Sequence, residues 1–194
     1  MNKFSDYQWP QSLLKKAKFI ENLTSYNNKN LIHKIEGFFE KKFKIPVRLF
    51  PSARSCIGSI LEFEKINRND EVYVNKWVSN CIFNTIGYFS NPTVNFGNQR
   101  IFIANNIWGL NQKLKIFKSK KIIIDDSSDS IILKPKYLFP NNSKYEIFSL
   151  PKLIGSVSGG IVISKDKKFL KFCKIRQKKN KNFGIVQSKL KFDE

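Results

Sequence analysis

Two short, uninterrupted apolar runs, RIFIAN at 100–105 and KIIID at 121–125, constrain the fold of this chain more than any other feature. A strand with one wet face alternates apolar and polar residues. A run without polar breaks belongs to a strand covered on both faces, as in a parallel sheet between helical layers. The segments around the two runs fit that reading. Three-to-four spacing of apolar residues predicts helices at 11–22 (QSLLKKAKFIEN), 30–43 (NLIHKIEGFFEKKF), from Pro51-Ser52 to Ile66, and at 78–88. Strands are predicted at 46–50, 71–74 and 93–96 (TVNF), with a helix or helical loop at 109–120 between the apolar runs. YEIFSL, GGIVIS and a closing helix at 165–177 extend the pattern, which fades after Gln177. This alternation predicts an α/β three-layer sandwich with a mostly parallel central sheet.

Composition narrows the function classes. The net charge of +20 invites nucleic acid as a partner. Yet only five of the thirty-five basic residues are Arg, the residue suited to bidentate contacts with phosphate and bases, and the lysines are scattered along the chain. Nucleic acid as the main partner is therefore not the expectation, and anionic small ligands stay open. Cys56, Cys81 and Cys173 are odd in number and lack metal-ligand spacing, which fits a reducing cytoplasm. The N-terminus lacks an unbroken apolar core for a signal peptide, and no stretch suffices to span a bilayer. His33, the only histidine, sits in a helix away from the candidate sites, so no His-based metal site is expected.

Ligands of open α/β sheets collect at the carboxyl ends of strands, and three segments place polar residues there. In FPSARSC the chain turns from strand to helix with Ser52, Ala53, Arg54 and Ser55 in the first turn. That is either an anion site built on the helix dipole or a Ser N-cap beside a solvated Arg. In IIIDDSSDS, Asp125 and Asp126 close an apolar strand. They end a strand in a polar turn, or else serve a positive partner or Mg²⁺. In FSLPKLIGSVSGG, Lys152 follows Ser149 by three residues among Leu150, Pro151, Leu153 and Ile154. An apolar setting disfavours the ammonium form, and such a lysine can form a Schiff base with an aldehyde. The plain alternative is an exposed turn lysine.

Taken together and in order, these segments resemble the pyridoxal 5'-phosphate (PLP)-dependent sugar aminotransferases of the DegT/StrS type, within the fold-type I aminotransferases. The family's S-G-T-A-A-L is similar to SARSCI, and its G-D-E-V-I-V-P-x-x-T-F to NDEVYVNKWVS. P-V-F-V-D is matched by PTVNF, H-L-Y-G by NIWG, and V-I-E-D-A-A-Q by IIDDSSD. K-x-x-T-T-G-E-G-G is matched without a gap by KLIGSVSGG.

The resemblance implies PLP as cofactor and Lys152 as the catalytic, Schiff-base lysine. It implies Asp126 against the pyridine nitrogen, and the turn of Ser52, Ala53, Arg54 and Ser55, with Ser149, around the phosphate. The chain departs from the family at several of these places. Ala53-Arg54 replaces Gly-Thr, Ser79 stands where an aromatic covers the ring, and Val157-Ser158 replaces Gly-Glu. Trp77, two residues earlier and on the same strand face, is the nearest substitute for that aromatic, and Asp129 stands in the place of the family's Gln. By the same resemblance residues 30–176 form a PLP-binding large domain, preceded by a helical segment at 1–29 and followed by a basic tail at 177–194. The family's small C-terminal domain would be absent. The implied reaction moves an amino group from an amino acid to a nucleotide-linked keto-sugar for surface polysaccharide or lipopolysaccharide synthesis. A homodimer, or completion by a second chain, is implied as well. The alternatives are an inactive relic serving as a binding or assembly module, and a basic nucleic-acid binder.

Overall fold

The computed structural model describes residues 29–114, 121–130, 135–154, 156 and 158–179, so the helix expected at 11–22 and the end of the basic tail lie outside the described residues. Helix α1 (Lys29–Phe43) leads into β1 (Val47–Phe50), α2 (Ala53–Phe63), β2 (Glu71–Tyr73), α3 (Asn80–Gly87) and β3 (Asn91–Thr93). Then come β4 (Ile101–Asn105), β5 (Ile122–Asp126), β6 (Tyr145–Ser149), the short α4 (Leu150–Ile154), β7 (Gly160–Ile163) and α5 (Lys167–Lys179). The strands form one sheet in the order β1-β7-β6-β5-β4-β2-β3. From β3 to β6 all neighbours run parallel, and β7 runs antiparallel to both β6 and β1. The mostly parallel sheet expected from the apolar runs is the sheet observed.

Side chains alternate across this sheet and so sort into two cores. On one face, Ile103, Ile124, Ile147 and Val162 pack against Cys56, Ile57, Ile60 and Leu61 of α2, Ile86 of α3 and Phe169 of α5. Phe148, Ile161 and Ile163 point to the opposite face and meet Phe39 and Phe43 of α1. That makes three layers. Each such side chain, withdrawn fully from water, contributes roughly 1.5–3 kcal/mol before entropy is subtracted.

Two expected elements are corrected. The strand placed at 93–96 lies instead at Asn91–Thr93, because its ladder to β2 pairs Glu71 with Asn91 and Tyr73 with Thr93. Pro92 is tolerated there since β3 is the edge strand and its missing N–H faces no neighbour. Of the helix or helical loop expected at 109–120, residues 115–120 lie outside the described residues, and the described part is one 3-10 turn, Ile107–Gly109, followed by irregular chain to 114. Local bonds explain this: Asn105 N–H donates to Gln112 Oε1 and Gln112 N–H donates to Asn106 Oδ1, closing a loop rather than a helix. The boundary expected at 177 falls inside α5, where Gln177 donates to Glu36 Oε1 and to the Leu49 carbonyl.

Candidate active site

The carboxyl ends of β1, β4, β5 and β6 open on the same edge of the sheet, and a cavity of about 770 Å³ lies there. Its walls include Ser52, Ala53 and Arg54 from the start of α2, Trp77, Asn105, Trp108, Asp126, Asp129, Ser149 and Lys152. The structure therefore brings together eight of the nine residues singled out from the sequence. Ser55 is the exception. Its N–H donates to Ser52 Oγ at 3.2 Å and the two hydroxyls lie 3.0 Å apart, so it supports the turn rather than lining the cavity. Ser52 is thus a true N-cap, and α2 still aims its first turn at the cavity.

Asp126 closes β5 and is 6% exposed. Asn105 Nδ2 donates to its Oδ2 at 3.1 Å, and Ser128 N–H donates to its Oδ1 at 3.1 Å. Burial pushes the Asp126 carboxyl above its ordinary range; hydrogen bonding from Ser128 offsets part of that, and Lys152 adds a favourable field. Asp125 points to the opposite layer, where Asn141 holds it. The arrangement of two paired acids around Mg²⁺ is thereby corrected: successive residues of a strand face opposite sides.

Lys152 sits in α4, one short helix beyond Ser149. The apolar setting expected for it is not what surrounds it. Its Nζ lies 2.5 Å from Asp129 Oδ1, and the two side chains are 39% and 35% exposed. Asp129 is remote in sequence and reaches Lys152 only because β5 and β6 are neighbours. Trp77 also needs correction: β2 ends at Tyr73, so Trp77 stands in a turn rather than on a strand face. It lines the cavity nonetheless, with 73% of its surface exposed.

Sequence reasoning gave no role to Asn105, although it too ends a buried strand, β4, in register with Asp126. The rule that singled out Asp126 applies to it equally. A β-carbon on Gly160 would stand 2.3 Å from the backbone of Ser52 and Ala53. Only glycine lets the first turn of α2 lie against β7 there.

A family model described as "Putative PLP-dependent aminotransferase" matches residues 11–192. The chain belongs to that family. No curated protein matches it in sequence. Among solved structures, the aminotransferase from Psychrobacter cryohalolentis shares the fold with a TM-score of 0.65 at 11% identity, over 84% of this chain and 51% of that one. DesI, solved in the presence of its TDP-sugar product, gives 0.63 at 11%, over 88% and 51%. A DegT DnrJ EryC1 StrS aminotransferase from Brucella abortus gives 0.57 at 11%, over 81% and 55%. At these identities the likeness is one of fold, that of the fold-type I aminotransferases, and this chain spans about half the length of each. The resemblance drawn from the sequence to PLP-dependent aminotransferases therefore holds, and a DegT/StrS-type enzyme is among the structures that share the fold.

PLP is the cofactor of this aminotransferase family, and the cavity suits it. The walls offer an amine, a buried carboxylate, five serines, a guanidinium and a helix start. They also contain Asn105 Oδ1, a buried oxygen with no hydrogen-bond partner among the described residues. A planar, anionic heteroaromatic group with a basic ring nitrogen, an aldehyde and a phosphate can use each of these except the last.

Proposed function

We propose that this chain is the cofactor-binding large domain of a sugar aminotransferase. One observation carries the reading: the buried carboxylate of Asp126 and the amine of Lys152 line one cavity. Burial raises the Asp126 carboxyl, and a carboxylate in that position gains most from a cationic partner. A protonated ring nitrogen is such a partner, and Asn105 and Ser128 orient the carboxylate toward it. When bound, PLP supplies an electron sink for the carbon that bears the migrating amine. Lys152 Nζ anchors the cofactor and carries the proton to and from that carbon. Ser52, Ala53 and Arg54 bind the phosphate by backbone N–H groups, a hydroxyl and a guanidinium, with Ser55 bracing the turn and the Ser149 hydroxyl closing the other side. Trp77 covers the ring.

The substrate is a nucleotide-linked keto-sugar and the donor an amino acid, in surface polysaccharide synthesis. DesI carries a TDP-sugar product, and a net charge of +20 favours an anionic substrate. The large domain covers residues 30–176 and the end of α5 to Lys179, between a segment at 1–29 and the basic tail beyond α5. A second copy or a second chain completes the site, in keeping with the exposed Trp77 and Trp108 on the cavity wall. The free cysteines suit the cytoplasm. Titration with PLP tests the reading: a visible absorption band should develop, vanish in Lys152→Ala, and be converted by an amino donor. Identical spectra for wild type and Lys152→Ala would refute it.

A further inference from the structure

Two carboxylates reach the cavity of Lys152, and they are held differently. Asp126 is buried and occupied by the donors of Asn105 and Ser128. Asp129 stands in the turn beyond β5, and its Oδ1 takes Lys152 Nζ at 2.5 Å. That turn is not a loose loop. Ser130 N–H bonds to the Ser127 carbonyl, Ser130 Oγ donates to the Asn106 carbonyl, and Ser127 Oγ donates to the buried Glu146. The carboxylate is therefore presented to the lysine from a fixed position. Arg54 is a further charged group lining the cavity. Where the resembling family has Gln, this chain has an acid, and the acid meets the nitrogen on which the proposed chemistry depends.

We propose that Asp129 is a latch on Lys152: it holds the nitrogen in an ion pair that must open before the amine can bond to an aldehyde carbon. The claim rests on the reading of Lys152 as the cofactor's lysine and adds a control on it. The balance is simple. The ammonium gives up a proton, the amine lone pair forms a bond to the carbonyl carbon, and the carbonyl oxygen leaves as water when the carbon–nitrogen double bond closes. Solvent water, which reaches the partly exposed pair, carries that proton to the oxygen; the nitrogen then releases a second proton to complete the water and keeps the third, so no further reagent is required. Because both partners are about one-third exposed, the pair is a modest brake and not a block.

The test is reductive labelling with borohydride, followed by peptide mapping that reads Lys152 against the other lysines as internal standards. Formaldehyde is one probe, since it needs no cofactor site; PLP is the other. With formaldehyde, Asp129→Asn should label Lys152 roughly two- to five-fold faster than wild type, the range of an exposed ion pair. Asp129→Glu should restore the slow rate, and added salt should speed wild type more than it speeds Asp129→Asn, in which only the weaker field of Asp126 remains to be screened. A purely structural role moves neither the rescue nor the salt response. If Asp129→Asn, with unchanged melting temperature, labels at the wild-type rate or slower, the latch is overturned. If formaldehyde shows the acceleration but PLP never marks Lys152 in any variant, the latch stands and the cofactor assignment falls.

Discussion

Asp125 of β5 and Glu146 of β6 are register partners on adjacent parallel strands, and both are fully buried. Their side chains share the face opposite Asp126. Glu146 accepts from Ser127 Oγ at 2.8 Å and from Phe139 N–H at 2.7 Å; Asp125 accepts from Asn141. Burial, with a smaller push from Asp125, raises Glu146 to about 7 from an ordinary 4.5.

A stability profile follows from that pair. A carboxyl whose folded pKa is raised stabilises fully below its unfolded value and loses that contribution as pH climbs through the folded one. Stability should fall between about pH 4.5 and 7, by on the order of 3 kcal/mol from Glu146 alone. Glu146→Gln stays neutral throughout, and Ser127 can reverse its hydroxyl toward the new amide. Urea titrations at stepped pH should give a flatter profile for Glu146→Gln. Parallel profiles would contradict the assignment.

Asp126→Ala strands the donors of Asn105 and Ser128 in a buried wall, at roughly 1–3 kcal/mol for each donor left unmet. Melting temperature should drop, and PLP retention on a desalting column should drop with it. Asp126→Asn should recover much of the melting temperature but not the retention.

Gly160→Ala should be severe. The new methyl would enter the backbone of Ser52 and Ala53, so β7 and the first turn of α2 must separate. A cost of about 3 kcal/mol, the upper end for overpacking, is expected from chemical denaturation. Ala at Gly87, where a β-carbon meets nothing, is the control.

Trp108 stands in the left-handed region at φ 54 and ψ 33, with 87% of its surface exposed. A bulky residue there stores strain that burial does not repay. Trp108→Gly should raise stability by about 1 kcal/mol in a thermal melt while weakening ligand binding at the cavity it lines. A variant that loses stability would remove the case for functional strain.

The legible parts of this molecule were local. Ile101–Asn105 and Ile122–Asp126 announced themselves because a run without polar breaks has one home, the middle of a covered sheet. Asp126, Ser149 and Lys152 were visible as polar residues at strand ends. What could not be read was set by pairing between distant segments. Nothing near Lys152 in sequence foretells Asp129, and nothing near Asp125 foretells Glu146; both meetings depend on β5 lying beside β6. Strand β3 was misplaced because TVNF has the better strand composition, yet the ladder to β2 selects Asn91–Thr93.

A crystal structure of the protein grown with PLP tests the central claim most directly. The account predicts electron density continuous from Lys152 Nζ into the cofactor, its ring nitrogen facing Asp126 and its phosphate at Ser52 to Arg54. A cavity without the cofactor, or a ring turned so that its nitrogen faces away from Asp126, would contradict it.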